Sequence, residues 1–165
     1  MPSPPTRRTV VVPDVFFTAL TSRLRRDIGR SAAHNLLYDI GRDAGRAFME
    51  MAKQVLGRLE DEEDTRKVIR MFGTEYGWAD IDLTTFDLNG KCAVVRWKNG
   101  VGVPHGGSKE PVCHLGRGLL SGAAEVLFGV ACDAVETKCE AMGADTCEFV
   151  VGGADRVAEI AERQA

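Results

Sequence analysis

The sequence lacks the features of a membrane or secreted protein. No apolar run approaches the roughly 20 residues that span a bilayer. Residues 1–9 are polar and rich in proline, without the apolar core of a secretion signal, and we expect them to be disordered. The five cysteines are an odd number, which in a chain without a signal favours reduced thiols. We therefore expect a soluble, cytoplasmic protein.

An excess of positive charge and the common cofactor motifs are also missing. The 21 basic and 24 acidic residues give a net charge of −3, and no basic stripe supports direct binding to nucleic acid. The glycines of residues 100–107 lack the strand–turn–helix setting of a nucleotide loop. No hydride-cofactor fingerprint and no arrangement of serine, histidine and acid can be proposed. Whether the chain is an enzyme is left open, and we lean toward a protein that is not one.

The elements that are present predict one α+β domain. The 165 residues suffice for one domain, which we place at residues 10–152, with residues 153–165 as a tail or short helix. Apolar periodicity predicts three helices, two strands, a helix and two more strands, with Asp14 as the cap of the first helix. Asn89-Gly90 is a strong hairpin signal, so the strands should be antiparallel. An antiparallel sheet with helices on one face follows.

The second predicted helix has an unusually smooth side. Gly41, Gly45 and neighbouring alanines would allow another helix to approach closely. Two interpretations stay open at this point. The helix is either an ordinary core helix with small residues or part of an interface between subunits.

Three cysteines and a glutamate predict a divided metal site. Cys139 and Cys147 are symmetric about Gly143, so a hairpin that turns there brings the two thiols face to face. Cys113 precedes a predicted helix, and with Glu136 it would complete a closed tetrahedral zinc site. The alternative is that the cysteines are small buried apolar residues. Two further cysteines match no motif and are expected to be spectators: Cys92 and Cys132.

Such a site makes two structural demands. Glu136 and Cys139 are three residues apart, which on a regular strand puts them on opposite faces, so a bulge or bend must lie between them. Three thiolates and a carboxylate keep a net charge of −2 with Zn²⁺. Backbone N–H groups, Lys138 or Arg117 would have to offset this charge. His114, beside the first cysteine, is an alternative to the glutamate as fourth ligand.

The words around these residues resemble a known family. Glu110-Pro-Val-Cys113, Glu136-Thr-Lys-Cys139 and Cys147-Glu-Phe-Val150 are similar to motifs of the 4-vinyl-reductase domain family, and the resemblance covers most of residues 14–151. It implies a twisted antiparallel sheet backed by helices, a fold shared with small subunits of vesicle-tethering complexes. It also implies zinc on the cysteines and glutamate named above, and a homodimer that pairs through the N-terminal helices.

The resemblance also implies a ligand pocket. Trp97, before a short polar turn, looks like a tryptophan that lines the aromatic-ligand pocket of phenol- and xylene-responsive activators in this family; the alternative is a core aromatic. The rings of Phe72, Tyr76 and Trp97 should face one another between the third helix and the first hairpin, which favours a flat, apolar ligand. His105 lies in the glycine-rich loop, where a ligand contact and a solvated histidine are both open.

Three functions are compatible with these features. The leading hypothesis is a stand-alone, zinc-containing sensor or carrier of an apolar small molecule, either aromatic or tetrapyrrole-like. The first alternative is an accessory factor or enzyme in reduction of the tetrapyrrole 4-vinyl group in (bacterio)chlorophyll biosynthesis. The second is a pure interaction module, as the related tethering subunits suggest.

Overall fold

The computed structural model describes residues 10–57, 59, 61–104 and 107–164. The predicted disordered segment, residues 1–9, lies outside the described residues. None of the described helices is both long enough and apolar enough to cross a membrane.

Five helices and a four-stranded sheet make up the described chain. The helices are α1 (Asp14–Ile28), α2 (Arg30–Leu56), α3 (Glu62–Arg70), α4 (His114–Phe128) and α5 (Ala154–Gln164). The strands are β1 (Asp80–Asp87), β2 (Cys92–Lys98), β3 (Cys132–Lys138) and β4 (Cys147–Gly153). The sheet order is β1-β2-β4-β3, and every neighbouring pair is antiparallel. The predicted α+β class with an antiparallel sheet is confirmed.

The helix ends follow local chemistry, with one correction. Asp61 caps α3, because its carboxylate accepts a hydrogen bond from the backbone N–H of Asp64 at 2.9 Å. Asp14 was predicted to cap α1 but is its first residue, since the extended Pro13 occupies the cap position. The Asp14 carboxylate instead accepts from the backbone N–H of Gly102 at 2.5 Å. This bond ties the start of α1 to the loop that precedes α4.

The predicted glycine face of α2 packs against α4 of the same chain. A Cβ at Gly41 would lie 2.2 Å from the carbonyl oxygen of Leu115, and one at Gly45 would lie 2.1 Å from that of Leu119. The contact is reciprocal, because Cβ atoms at Gly118 and Gly122 would lie 2.0 Å and 1.9 Å from carbonyl oxygens of α2. The core-helix interpretation therefore holds for this face.

Candidate metal centre and ligand cavity

Four residues from separate elements converge at one end of the sheet. Cys113 precedes the first turn of α4, Glu136 lies on β3, Cys139 follows β3, and Cys147 begins β4. All four are buried, and their ligating atoms lie within 4.8 Å of one another. We call these four residues the Cys3Glu cluster.

A β-bulge gives the cluster its geometry. Glu136 pairs with Phe149, but Lys138 pairs with Glu148, so the register of β3 against β4 shifts by one residue between them. The extra residue moves Glu136 and Cys139 to the same end of the site, as the three-residue spacing required. After Cys139 a single 3-10 turn, Glu140–Met142, closes the hairpin.

Hydrogen bonds inside the cluster show how it accommodates charge. The backbone N–H of Cys113 donates to Glu136 Oε2 at 3.1 Å, and the sulfurs of Cys113 and Cys147 lie 3.4 Å apart. The pKa of Cys139 lies far below that of an ordinary thiol because the thiols of Cys113 and Cys147 donate to it. For the same reason the pKa of Cys113, whose proton is held by Cys139, is raised.

Glu136 supplies the test of whether a cation fits. Burial raises the pKa of its carboxyl group to about 8. Its Oε1 atom is buried without a hydrogen-bond partner. A buried oxygen without a partner is costly, and a bound cation among the three sulfurs would satisfy it. The cluster could hold a metal ion.

The groups that offset the charge of the cluster differ in part from those expected. Lys138 pairs with Glu148 at 3.0 Å, and the Arg117 guanidinium lies over the ring of Tyr38 at 4.8 Å, so both have other partners. Backbone N–H groups take this role instead, including that of Glu140, which donates to Cys147 Sγ at 3.3 Å. His114, considered as an alternative ligand, lies outside the cluster.

One buried acid beside the cluster was not identified from the sequence. The Oε2 atom of Glu140 lies 3.9 Å from Cys147 Sγ, and its Oε1 atom accepts from the backbone N–H of Asn99 at 3.4 Å. Its position directly after Cys139 was the available signal.

Two apolar cavities lie between the helices and the first hairpin. Their volumes are about 50 Å³ and 60 Å³, and both are lined by Met49, Ile69, Leu120 and Ala123. Trp97 and Ile81 complete the first cavity. Sequence periodicity placed such residues in the core but could not show that the space between them is incompletely filled.

Trp97 separates this first cavity from the Cys3Glu cluster. Its ring is 4% exposed and meets the ring of Phe149 edge-on, with 5.3 Å between centroids. It pairs with Cys147 across β2 and β4, and it lines a further cavity of about 30 Å³ together with Cys113. The indole Nε1 is buried and has no hydrogen-bond partner.

The other predicted ligand residues are not brought to these cavities in the described structure. Tyr76 is 45% exposed and is not among the described residues that line either apolar cavity. Phe72 belongs to the π-helical turn Met71–Glu75, and its side chain lies outside the described part. His105 also lies outside the described residues.

Comparison with known proteins places this architecture. Residues 93–153 match the family model of the 4-vinyl-reductase domain. The predicted resemblance to that family is confirmed over this part of the chain, which contains the whole Cys3Glu cluster and Trp97. A search of curated proteins gives no significant match.

Three solved structures show the same fold as this chain. The phenol-responsive sensory domain of the transcription activator PoxR, solved with phenol, aligns with a TM-score of 0.76 and 21% identity over 94% of this chain and 83% of that one. Trafficking protein particle complex subunit 3 from Naegleria fowleri, covalently bound to palmitic acid, gives 0.60 and 14% over 84% and 91%. A vinyl-4-reductase family protein from Methanocaldococcus jannaschii gives 0.52 and 18% over 87% and 83%.

Proposed function

We propose that this chain is a zinc-stabilised sensory or carrier domain that binds a small aromatic molecule beside Trp97. The observation that carries the proposal is the indole N–H of Trp97, which is buried on the wall of an apolar cavity without a partner. A ligand with one ring and one oxygen acceptor would fill the apolar space and satisfy this donor. The PoxR sensory domain, which has this fold, was solved with phenol.

Zinc is the metal that best suits the donor set of Cys113, Glu136, Cys139 and Cys147. Three soft thiolates with one carboxylate favour zinc over calcium or magnesium, which prefer oxygen ligands alone. Four protein ligands would leave no open position, so the metal would stabilise the fold rather than act on a substrate. Elemental analysis of protein purified without chelator should find about one zinc per chain. Protein without metal would refute this part of the proposal.

Cavity size favours a single ring over a tetrapyrrole. Cavities of about 50 Å³ and 60 Å³ are small beside the 300–1,000 Å³ of typical ligand pockets. Even a benzene-sized ligand, which fits an engineered cavity of about 150 Å³, would require the two cavities to join and widen slightly. A macrocycle would require the helices to separate, so we place tetrapyrrole chemistry second.

Spectra of co-purifying material and binding assays separate these two functions. We expect micromolar to millimolar phenols to raise the melting temperature, because a ligand that binds the folded state stabilises it by mass action. A co-purifying pigment with tetrapyrrole absorption, together with no response to any single-ring compound, would favour the alternative.

We also propose that two copies pair through α1 and α2. The glycine face of α2 is covered by α4, but the two helices expose other apolar side chains: Val15, Phe16, Leu36 and Ile40. A contiguous exposed apolar surface of this kind is typical of an interface. Light scattering should give twice the chain mass of 17.9 kDa. A monomer mass at high concentration would refute pairing.

A further inference from the structure

A second group of unpartnered polar atoms lies apart from the Cys3Glu cluster. Arg25 on α1, His34 on α2, and His114 and Arg117 on α4 each bury a side-chain nitrogen that has no hydrogen-bond partner. The atoms are Nε of the two arginines and Nε2 of the two histidines. We call these four residues the basic junction. Arginine nitrogens can only donate hydrogen bonds, so what the arginines lack is an acceptor.

The two histidines form the centre of the basic junction. Their rings stack with 3.8 Å between centroids and an angle of 23° between planes. Burial lowers the pKa of both, that of His114 to about 4, and the charge of Arg25 lowers both further. Stacked parallel rings do not converge on one point as metal ligands must, and the described residues contain no metal-ligating group here.

An open cleft adjoins the basic junction through Arg25. It has a volume of about 580 Å³, and its described lining includes Arg25, Arg30, Lys109 and Glu110. The pKa values of both histidines respond to the charges of Arg25 and Glu110, so the cleft and the stacked rings lie within one electrostatic environment.

The charge at this place is unbalanced. Glu110 forms an ion pair with Arg30 at 2.7 Å. Among the described residues no other carboxylate lines the cleft. The positive charges of Arg25, Lys109 and Arg117 are therefore not neutralised there. This is unusual in a chain with a net charge of −3.

We propose that the cleft and the basic junction together bind the oxyanion of a small molecule, a phosphate or a carboxylate. Its oxygens would accept hydrogen bonds from the guanidinium groups of Arg25 and Arg117 and from the imidazole of His34. The site differs from the Trp97 cavity in its chemistry, and it does not depend on whether an aromatic ligand binds there.

The test measures thermal stability in phosphate, acetate and chloride at equal ionic strength. Phosphate should raise the melting temperature of the full chain more than chloride does. A rise with phosphate alone assigns the site to phosphoryl groups, and a similar rise with acetate assigns it to carboxylates. The same stability in all three salts overturns the proposal.

Variants separate a site from a general salt effect, because phosphate also stabilises proteins by exclusion from their surfaces. Arg25→Gln should weaken phosphate binding at least about ten-fold, since hydrogen bonds to charged groups carry that much affinity. Arg26→Gln, at the exposed neighbouring position, is the matched control and should bind as the wild type does.

A second variant keeps the test decisive if Arg25→Gln does not fold. His34→Phe keeps a stacked ring and removes both ring nitrogens, so it should fold and still lose phosphate affinity. If both variants fold and keep the phosphate response of the wild type, the basic junction is not an anion site.

Discussion

Replacement of Trp97 by phenylalanine tests the ligand cavity most directly. The change removes part of a ring that is 4% exposed, which creates a cavity and costs about 1–2 kcal/mol of unfolding free energy. It also removes a buried N–H without a partner, whose burial costs about 1–3 kcal/mol. These two terms have opposite signs, so the Trp97→Phe variant should melt within a few degrees of the wild type.

Ligand binding should respond differently from stability. Phenol has an oxygen that can accept from the indole N–H, whereas toluene has a similar size and no such oxygen. In the wild type, phenol should therefore bind more tightly than toluene. Loss of one hydrogen bond, with a buried hydroxyl left unpaired, should reduce the phenol affinity of Trp97→Phe about ten-fold. Toluene affinity should change much less.

Calorimetric titration of both ligands into wild type and variant gives the required comparison. Trp78→Phe is the matched control, because Trp78 is the other tryptophan of the chain and does not line the two apolar cavities among the described residues. If the ratio of phenol to toluene affinity is the same in wild type and Trp97→Phe, the indole donor does not contact the ligand. If the variant unfolds and no single-ring compound stabilises the wild type, Trp97 is an ordinary core residue.

Three further changes test the metal centre, the helix packing and the pH dependence. Cys147→Ser should lose the metal and lower the melting temperature by more than about 10 °C, since a structural metal contributes several kcal/mol and each is worth about 2–4 °C here, whereas Cys132→Ser, at a buried cysteine outside the cluster, should keep its metal on elemental analysis. Gly45→Ala should cost at least about 1–3 kcal/mol in denaturant unfolding because its Cβ would lie 2.1 Å from a carbonyl of the facing helix, and the exposed Asn35→Ala on the same helix should not. The pKa of Glu125 lies below its ordinary value of 4.5, because burial, which alone would raise it, is outweighed by hydrogen bonds from two arginines; its stabilising effect is therefore complete above pH 4.5 and lost as the pH falls through the folded pKa. Glu125→Gln should accordingly melt lower than the wild type at pH 7, and the difference should shrink below about pH 4.5; a difference independent of pH would contradict this assignment.

Local sequence signals were sufficient for the parts of the fold that are stabilised locally. Asn89-Gly90 predicted the first hairpin because few residue pairs adopt its turn easily. The symmetry of Cys139 and Cys147 about Gly143 predicted the second hairpin. The spacing from Glu136 to Cys139 even required the observed bulge, because period-two alternation leaves no other way to bring both residues to one site.

Contacts between distant elements could not be predicted in the same way. The smooth face of α2 showed that something packs closely there, but nothing local to Gly41 identifies α4 as the partner. The stacking of His34 on His114 joins two residues that are far apart in the chain, and no periodicity reports such a contact. The cavities also depend on how side chains fill space in three dimensions, which residue types alone do not determine.

The glycine contacts between α2 and α4 have a mechanical consequence. A side chain between two helices can change rotamer and absorb a small displacement, but at these four positions the backbones touch directly. The two helices should therefore move as one rigid lever. Cys113 lies immediately before α4, and Leu120 and Ala123 of that helix line the cavities. We expect a displacement of α4 on ligand binding to be transmitted undamped to the outer, apolar surface of α2, about 10 Å away.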